Sequence, residues 1–345
     1  MSLQKNENST NFTEILSLIT LSKQKAFNQV NSVLIELYWN IGEYICAKTL
    51  KENWGKGIVK ELAQFIENKE PNLQGFTERN LWRMKQFYET YKDNEKLTPL
   101  VTQISWTNNL LIISASKSDN EREFYLNLSI QERYSKRELE RQISSGVYER
   151  TQLANQKLSP MVREFPRDTQ NIFRDSYALE FLGLSQNHSE RDLQKALINS
   201  LKDFILEIGK DFCFMGQEYK LQVGDTDFSI DLLFFHRSLQ CMVVFELKID
   251  NFKPSYLGQL EFYLEVLDKQ VKKEYENPSI GVLLCRKKDD EIVKFALNRA
   301  LSPTVIAEYE TKLIPKKVLQ EKLNELYSLY VLSGDESEIE EGQET

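Results

Sequence analysis

Histidine is nearly absent: the 345 residues include only His188 and His236. Zinc centres built on histidine pairs, and nuclease motifs that depend on histidine, therefore lack their raw material. Cysteine is also sparse. Cys46, Cys213, Cys241 and Cys285 are widely spaced and each stands among apolar neighbours. That pattern suits buried free thiols in a reducing cytoplasm better than disulfides or a zinc cluster. No apolar run approaches the length that crosses a bilayer, so no membrane partner is expected. The first ten residues are polar and lack the basic-then-apolar layout of a secretory signal. Any metal would have to be held by oxygen ligands.

The composition is that of a globular protein, with 41% hydrophobic and 28% charged residues. At this length two domains are the natural prior. The formal net charge of −8 argues at first against a polyanionic partner, but six acids crowd the end of the chain: Asp335, Glu336, Glu338, Glu340, Glu341 and Glu344. Without them the remainder carries −2, which leaves room for local basic patches. Residues 333–345 read as an acidic, solvated tail.

Apolar residues recur at intervals of three and four from Phe12 to about Leu50, the period of an amphipathic helix. The Trp54–Gly57 segment interrupts the period, and Ile58–Phe65 resumes it. Pro71 and Gly75 mark a turn, after which Thr77 reads as an N-cap with Phe76 and Leu81 as a hydrophobic staple. Ser135 and Glu138 form a capping box further on. Residues 1–150 thus read as an all-helical domain, and the proline-bearing stretch 151–175 as a linker or irregular strap.

The pattern changes after residue 176. Ser189 and Asp192 make a second capping box, opening a helix expected to run to Glu207. Tyr219–Val223, Phe228–Phe235 and Cys241–Ile249 are strand-like runs separated by short polar turns. A helix over Pro254–Leu267, a fully apolar strand at Ile280–Cys285 and a helix near Glu291–Ala300 follow. A further strand is expected at Val305–Tyr309 and a terminal helix from Pro315 to about Leu332. The fold class is α+β overall, a helical domain followed by an α/β domain at 176–332 with an α-β-β-β-α-β core.

Within that core, Asp231 interrupts an otherwise apolar strand, and an isolated carboxylate there costs several kcal/mol unless something compensates it. Fifteen positions later Glu246 and Lys248 stand two apart, on the same face of the next strand. If those strands pair antiparallel through the turn at Arg237–Gln240, the two carboxylates approach. With the carbonyl of Leu247 they would offer the hard oxygen ligands that Mg²⁺ takes, with Mn²⁺ able to substitute. Lys248 would lie beside the ion, able to orient or help deprotonate a water and to stabilise charge on a phosphate. The bland alternative is a same-face ion pair between Glu246 and Lys248, with Asp231 serving as a cap.

The residues Ile230–Arg237, Val244–Lys248, Phe252–Pro254, Gly258–Leu264 and Asn277–Cys285 resemble the YhcG-like PD-(D/E)XK nucleases. The resemblance continues in the first half through Trp54-Gly55, Gly75–Met84, Gln86–Tyr88, Ile104–Thr107 and Arg122–Tyr125. It implies a restriction-endonuclease-like fold in the second half and a helical family-specific domain before it. Carried over, it implies Asp231 and Glu246 as metal ligands, Lys248 as the catalytic lysine and Gln259 as a supporting glutamine. Two departures stand out. Asn108 occupies a position where the family often has histidine, and the acid that related nucleases can place in the preceding helix has two candidate positions, Glu190 and Gln194.

In the first half, Ile58–Phe65, the turn and Thr77–Tyr91 have the spacing of a helix-turn-helix. The second helix presents Arg79, Asn80, Arg83 and Lys85 as candidates for contact with nucleic acid; a core helix with a solvated basic face is the competing reading. The overall expectation is a metal-dependent nuclease acting on DNA in repair, recombination or defence, alone, as a homo-oligomer or within a larger DNA-processing complex. A nucleic-acid-binding or partner-binding subunit with little activity, and an RNA-directed nuclease, stay open.

Overall fold

The computed structural model describes residues 2–51, 56–154, 159, 162, 172–185, 187–298, 300, 302–326 and 328. The chain divides into two compact units, Met1–Arg141 and Gln142–Thr345. No described helix is long and apolar enough to cross a membrane.

The first unit is helical, as its periodicity implies. Its elements are α1 (Ser2–Lys51), α2 (Lys56–Lys69), α3 (Glu78–Tyr91), a single turn α4 (Thr98–Val101), α5 (Trp106–Ala115) and α6 (Asp119–Glu132). The helix starts are chemically marked: Thr77, Ser105 and Ser118 each accept a hydrogen bond from a backbone N–H three residues on. Leu81, Met84, Phe87 and Tyr91 form the buried face of α3, which packs along α1. The approach is close at Gly42, where an added Cβ would stand 2.1 Å from the carbonyl oxygen of Met84. Around that crossing, Trp39 meets Phe87 edge-on at 5.7 Å, and Trp106 packs on Tyr38 at 4.7 Å and on Phe87 at 5.3 Å. Ser135 and Glu138 make the expected reciprocal cap of α7 (Lys136–Ser144), the helix in which the units divide.

The second unit takes in residues 142–150, which the sequence assigns to the helical domain. Long-range bonds within the unit explain this: Gln142 Nε2 donates to the Leu206 carbonyl at 3.1 Å, and Arg150 donates to the Ser176 carbonyl at 2.9 Å and to the buried Glu207 at 3.2 Å. After α8 (Val147–Leu153) come β1 (Ser176–Ala178), α9 (Glu190–Asn199), α10 (Leu201–Ile208), β2 (Phe212–Val223), β3 (Thr226–His236), β4 (Cys241–Leu247), α11 (Ser255–Gln270), β5 (Ile280–Cys285), α12 (Asp290–Leu297) and β6 (Thr304–Glu310). A last helix, α13, covers 316–326.

The strands form one six-stranded mixed sheet in the order β1-β6-β5-β4-β3-β2. β2, β3 and β4 form an antiparallel meander, whereas β4, β5, β6 and β1 run parallel. β4 is central and buried along its whole length. Its Val243 and Phe245 face a core shared with Leu193, Leu197 and Phe204 of α9 and α10; Met242 and Val244 face Leu260 and Leu264 of α11 on the other side. The sheet is thus covered on both faces, as parallel strands require.

Several expectations need correcting. The single helix from Ser189 to Glu207 is two helices that meet at Ser200, which lies outside helical geometry at φ −112°, ψ 30°. β1 was not anticipated, and β2 begins at Phe212, earlier than the pattern indicates. Three cysteines are buried as expected, but Cys213 is exposed because it lies on edge strand β2; all four are free thiols. Within the expected strap, Ser159, Val162 and Phe173 are buried, and Ser159 exchanges hydrogen bonds with residues 302 and 304. The rest of that strap's centre, Trp54-Gly55 and the acidic tail lie outside the described residues.

All four tryptophans lie in the first 141 residues, so tryptophan fluorescence reports the helical unit alone. Gly42→Ala forces α1 and α3 apart against a backbone carbonyl. It should destabilise that unit by about 1–3 kcal/mol, seen as an earlier fluorescence melt; an unshifted melt would show that the crossing yields freely.

Candidate metal centre on strands β3 and β4

The turn at 237–240 returns the chain antiparallel, with Leu232 paired to Phe245. Asp231 and Glu246 are next in that register, but the backbone ladder ends at Leu232 and the Asp231 side chain takes over: its Oδ2 accepts from the Leu247 N–H at 2.8 Å. On the other side of β3, Glu218 of β2 stands opposite Asp231 with a left-handed φ of 45°, a local distortion of the ladder. Gln194 of α9 donates to the Asp231 carbonyl at 3.2 Å. Main chain and side chain of Asp231 are therefore both held.

Glu246 projects from the centre of the sheet and is 2% exposed. Lys248, two residues on, places Nζ 3.0 Å from Glu246 Oε1 and 4.0 Å from Glu190 Oε2. Its ammonium also lies over the Tyr256 ring, 5.4 Å from the centroid. Tyr256 OH and Lys253 Nζ both donate to Asp250, in the segment between β4 and α11, at 3.3 and 2.8 Å. Sequence reasoning left Tyr256 and Glu218 out and held Glu190 in reserve. The capping box of Ser189 and Asp192, which sets the orientation of the first turn of α9, was the available signal for Glu190.

The carboxylates are in an unfavourable state. Burial, then repulsion from Asp231, pushes Glu246 up to about 7 despite the ammonium of Lys248. Burial likewise raises Asp231, against the opposing pull of the Leu247 N–H and Lys248. For Lys248, burial disfavours the charge, but Glu246, Glu190 and Asp231 outweigh it and raise its pKa. In this arrangement the lysine is held as an ammonium ion, suited to donating a hydrogen bond and to stabilising negative charge.

The donor set fits a hard divalent cation. Glu246 Oε2 is buried without a hydrogen-bond partner among the described residues, and a buried unsatisfied carboxylate oxygen requires a cation or a proton. Among the described residues no three histidine, cysteine, aspartate or glutamate side chains converge on one ion. The protein's share would be the two carboxylates and the Leu247 carbonyl, with water and phosphate completing the shell as Mg²⁺ commonly allows.

The other candidates divide. Gln259 is exposed on α11 and donates to Tyr263 of its own helix at 2.8 Å, not to Asp231, Glu246 or Lys248. It shares the helix face of Tyr256, one turn away. In the helical unit, α2 and α3 are joined by residues 70–77, longer than the tight turn of a helix-turn-helix. Asn80 is committed internally: its amide donates to the Gly75 carbonyl and its Oδ1 accepts from Trp106 Nε1 at 2.9 Å. Lys85 is paired with Glu89 at 2.6 Å. Arg79 is exposed and Arg83 half-buried. Asn108, at the family's frequent histidine position, is buried and donates to the Tyr134 carbonyl at 2.8 Å.

A mixed sheet with an antiparallel β2-β3-β4 meander, covered by helices and bearing Asp231, Glu246 and Lys248 on adjacent strands, defines the PD-(D/E)XK nuclease class. The model of the YhcG PDDEXK nuclease domain matches residues 170–324, and that of the DUF1016 N-terminal domain matches residues 14–150. YhcG of Escherichia coli (strain K12) is 31% identical over 346 residues, covering 90% of this chain and 92% of that protein. The chain belongs to the YhcG-like family of PD-(D/E)XK nucleases. Among solved structures, a repair endonuclease from Pyrococcus abyssi matches 38% of this chain and 50% of its own at 16% identity and a TM-score of 0.25. EndoMS in a double-stranded DNA complex matches 33% and 46% at 19% identity and the same TM-score.

Because Asp231 and Glu246 have raised folded-state pKa values, folding favours their protonated forms. Their contribution to stability is full at low pH and is lost as pH rises towards the Glu246 value near 7. Asp231→Asn can still accept from Leu247 but carries no charge. In metal-free protein it should raise the melting temperature at pH 8 by a few degrees and leave it unchanged at pH 4, as scanning calorimetry would read. A pH-independent difference would contradict this electrostatic account.

Proposed function

We propose that this nuclease requires Mg²⁺, with Mn²⁺ able to replace it, and hydrolyses phosphodiester bonds in DNA. Asp231, Glu246 and the Leu247 carbonyl hold the ion. The observation that carries this reading is the buried, unpartnered Glu246 Oε2 beside a second carboxylate whose charge is also disfavoured. The ion, when bound, polarises the phosphate and lowers the pKa of an attacking water. Lys248 remains protonated and donates to a non-bridging phosphate oxygen, stabilising the charge that grows there. Tyr256 supports the ammonium in that position through its ring. Binding must displace the proton from Glu246, so divalent affinity and cleavage should both rise as pH passes through about 7. The reading of DNA over RNA rests on a sequence without a legible aromatic stacking platform for unpaired bases. The four free thiols suit work in the reducing cytoplasm.

Lys248→Ala should abolish cleavage of linear DNA in a gel assay with Mg²⁺ while retaining Mn²⁺ binding by calorimetry; cleavage at the wild-type rate would reduce Lys248 to an ion-pair partner. Asp231→Ala with Glu246→Ala should lose the Mn²⁺ heat altogether. The same gel assay on single-stranded RNA separates the substrates, and preferential RNA cleavage would overturn the DNA assignment.

Arg79 and Arg83 are one turn apart on α3, so both emerge on one side of that helix. As phosphate contacts, their joint replacement by alanine should weaken DNA binding and flatten its salt dependence without abolishing cleavage at saturating protein. An unchanged salt slope would assign that face to another role.

A further inference from the structure

Helix α1 carries two apolar faces, and among the described residues only one of them is packed against other helices of the helical unit. Ile35, Tyr38, Ile45 and Cys46 are buried against the neighbouring helices. A second set, Ile19, Ala26, Val30, Val33, Leu37 and Tyr44, is exposed, with Val30 at 69% and Val33 at 60%. At the α-helical rotation these six fall within an arc of about 60°. Ile15, also exposed, extends the stripe towards the N-terminus. Apolar surface of this extent, on the order of several hundred Å², is uncommon on a protein that stays alone in water.

The spacing identifies the occupant. The intervals along the stripe are seven, four, three, four and seven residues. The central alternation of four and three is the seam of a coiled coil. The series also reads the same in both directions about the midpoint between Asn31 and Ser32. An antiparallel two-fold pairing therefore places Val30 on Val33 of a second copy, Ala26 on Leu37, and Ile19 on Tyr44, each contact occurring twice. The small Ala26 opposite the larger Leu37 suits interdigitation. Lys23 and Asn40 fall opposite each other as a polar layer.

Charge follows the same symmetry. Residues 22–30 carry Lys23 and Lys25 and no acid, whereas residues 33–45 carry Glu36 and Glu43 and no base. Antiparallel pairing lays the basic stretch of one copy along the acidic stretch of the other, with Lys25 within reach of Glu36 on the same flank of the seam. A parallel pairing would set like charges side by side. We infer that the exposed face of α1 is a homodimerisation surface, closed by an antiparallel α1–α1 coiled coil between two copies of this chain.

The test is the mass of the full-length protein by analytical ultracentrifugation over a range of concentrations. The wild type should sediment at twice the 40.5 kDa chain mass. Val30→Glu with Val33→Glu should sediment as a monomer, with helical circular dichroism and the tryptophan melt unchanged. Lys25→Glu and Glu36→Lys should each weaken the dimer at least tenfold, and the two together should restore it. Wild-type protein at 40.5 kDa throughout would overturn the inference, whether the stripe serves another partner or none. So would a dimer that persists in the double glutamate variant. Failure of the charge swap to restore affinity would overturn the antiparallel arrangement.

Discussion

Glu246 is held out of water at the centre of a fully buried strand, with Asp231 beside it and one of its own oxygens unpaired. A folded chain tolerates such a group only if something offsets the cost of desolvating it. Lys248 offsets part of that cost through Oε1. Among the described residues the other oxygen meets no protein donor, so part of the cost of burying this carboxylate has no offset from the protein itself. The surrounding sheet makes this possible. The apolar residues of β4 are locked on both faces by helices, so the strand cannot turn its carboxylate towards solvent.

The antiparallel return of β3 onto β4 is the second constraint. It brings two acids fifteen residues apart in sequence into adjacent positions. At that point the backbone ladder gives way to the Asp231 carboxylate, which accepts from Leu247. One oxygen of Asp231 is thereby fixed by the main chain, while α9 fixes its carbonyl through Gln194. Preorganisation of this kind limits the rearrangement needed when charge develops on a substrate.

The helical unit uses its conspicuous residues differently. Gly75, Asn80 and Trp106, which carry much of the family resemblance in that half, are tied to one another rather than displayed: Asn80 bridges the Gly75 carbonyl and the Trp106 indole. Their role is to set the path of the chain into α3 and to seat α5 against α1. The basic residues of α3 are therefore reduced to Arg79 and Arg83 as candidates for external contact, since Lys85 already has Glu89.

The sequence by itself determined the elements whose signals are local. Nearly continuous apolar runs bounded by polar turns marked β3, β4 and β5; capping residues marked the starts of α3, α7 and α9; and same-face spacing joined Glu246 to Lys248. The tertiary structure alone decided which residues from distant segments meet. Glu190 and Tyr256 reach Lys248 from helices before and after the meander, Glu218 reaches Asp231 through a distorted edge strand, and Gln259 turns to Tyr263 instead of the site. Cys213 is exposed only because β2 ends the sheet. Short-range periodicity records which face of an element is apolar. It does not record what packs against that face, because that depends on sheet order and on side-chain contacts between residues far apart in the chain.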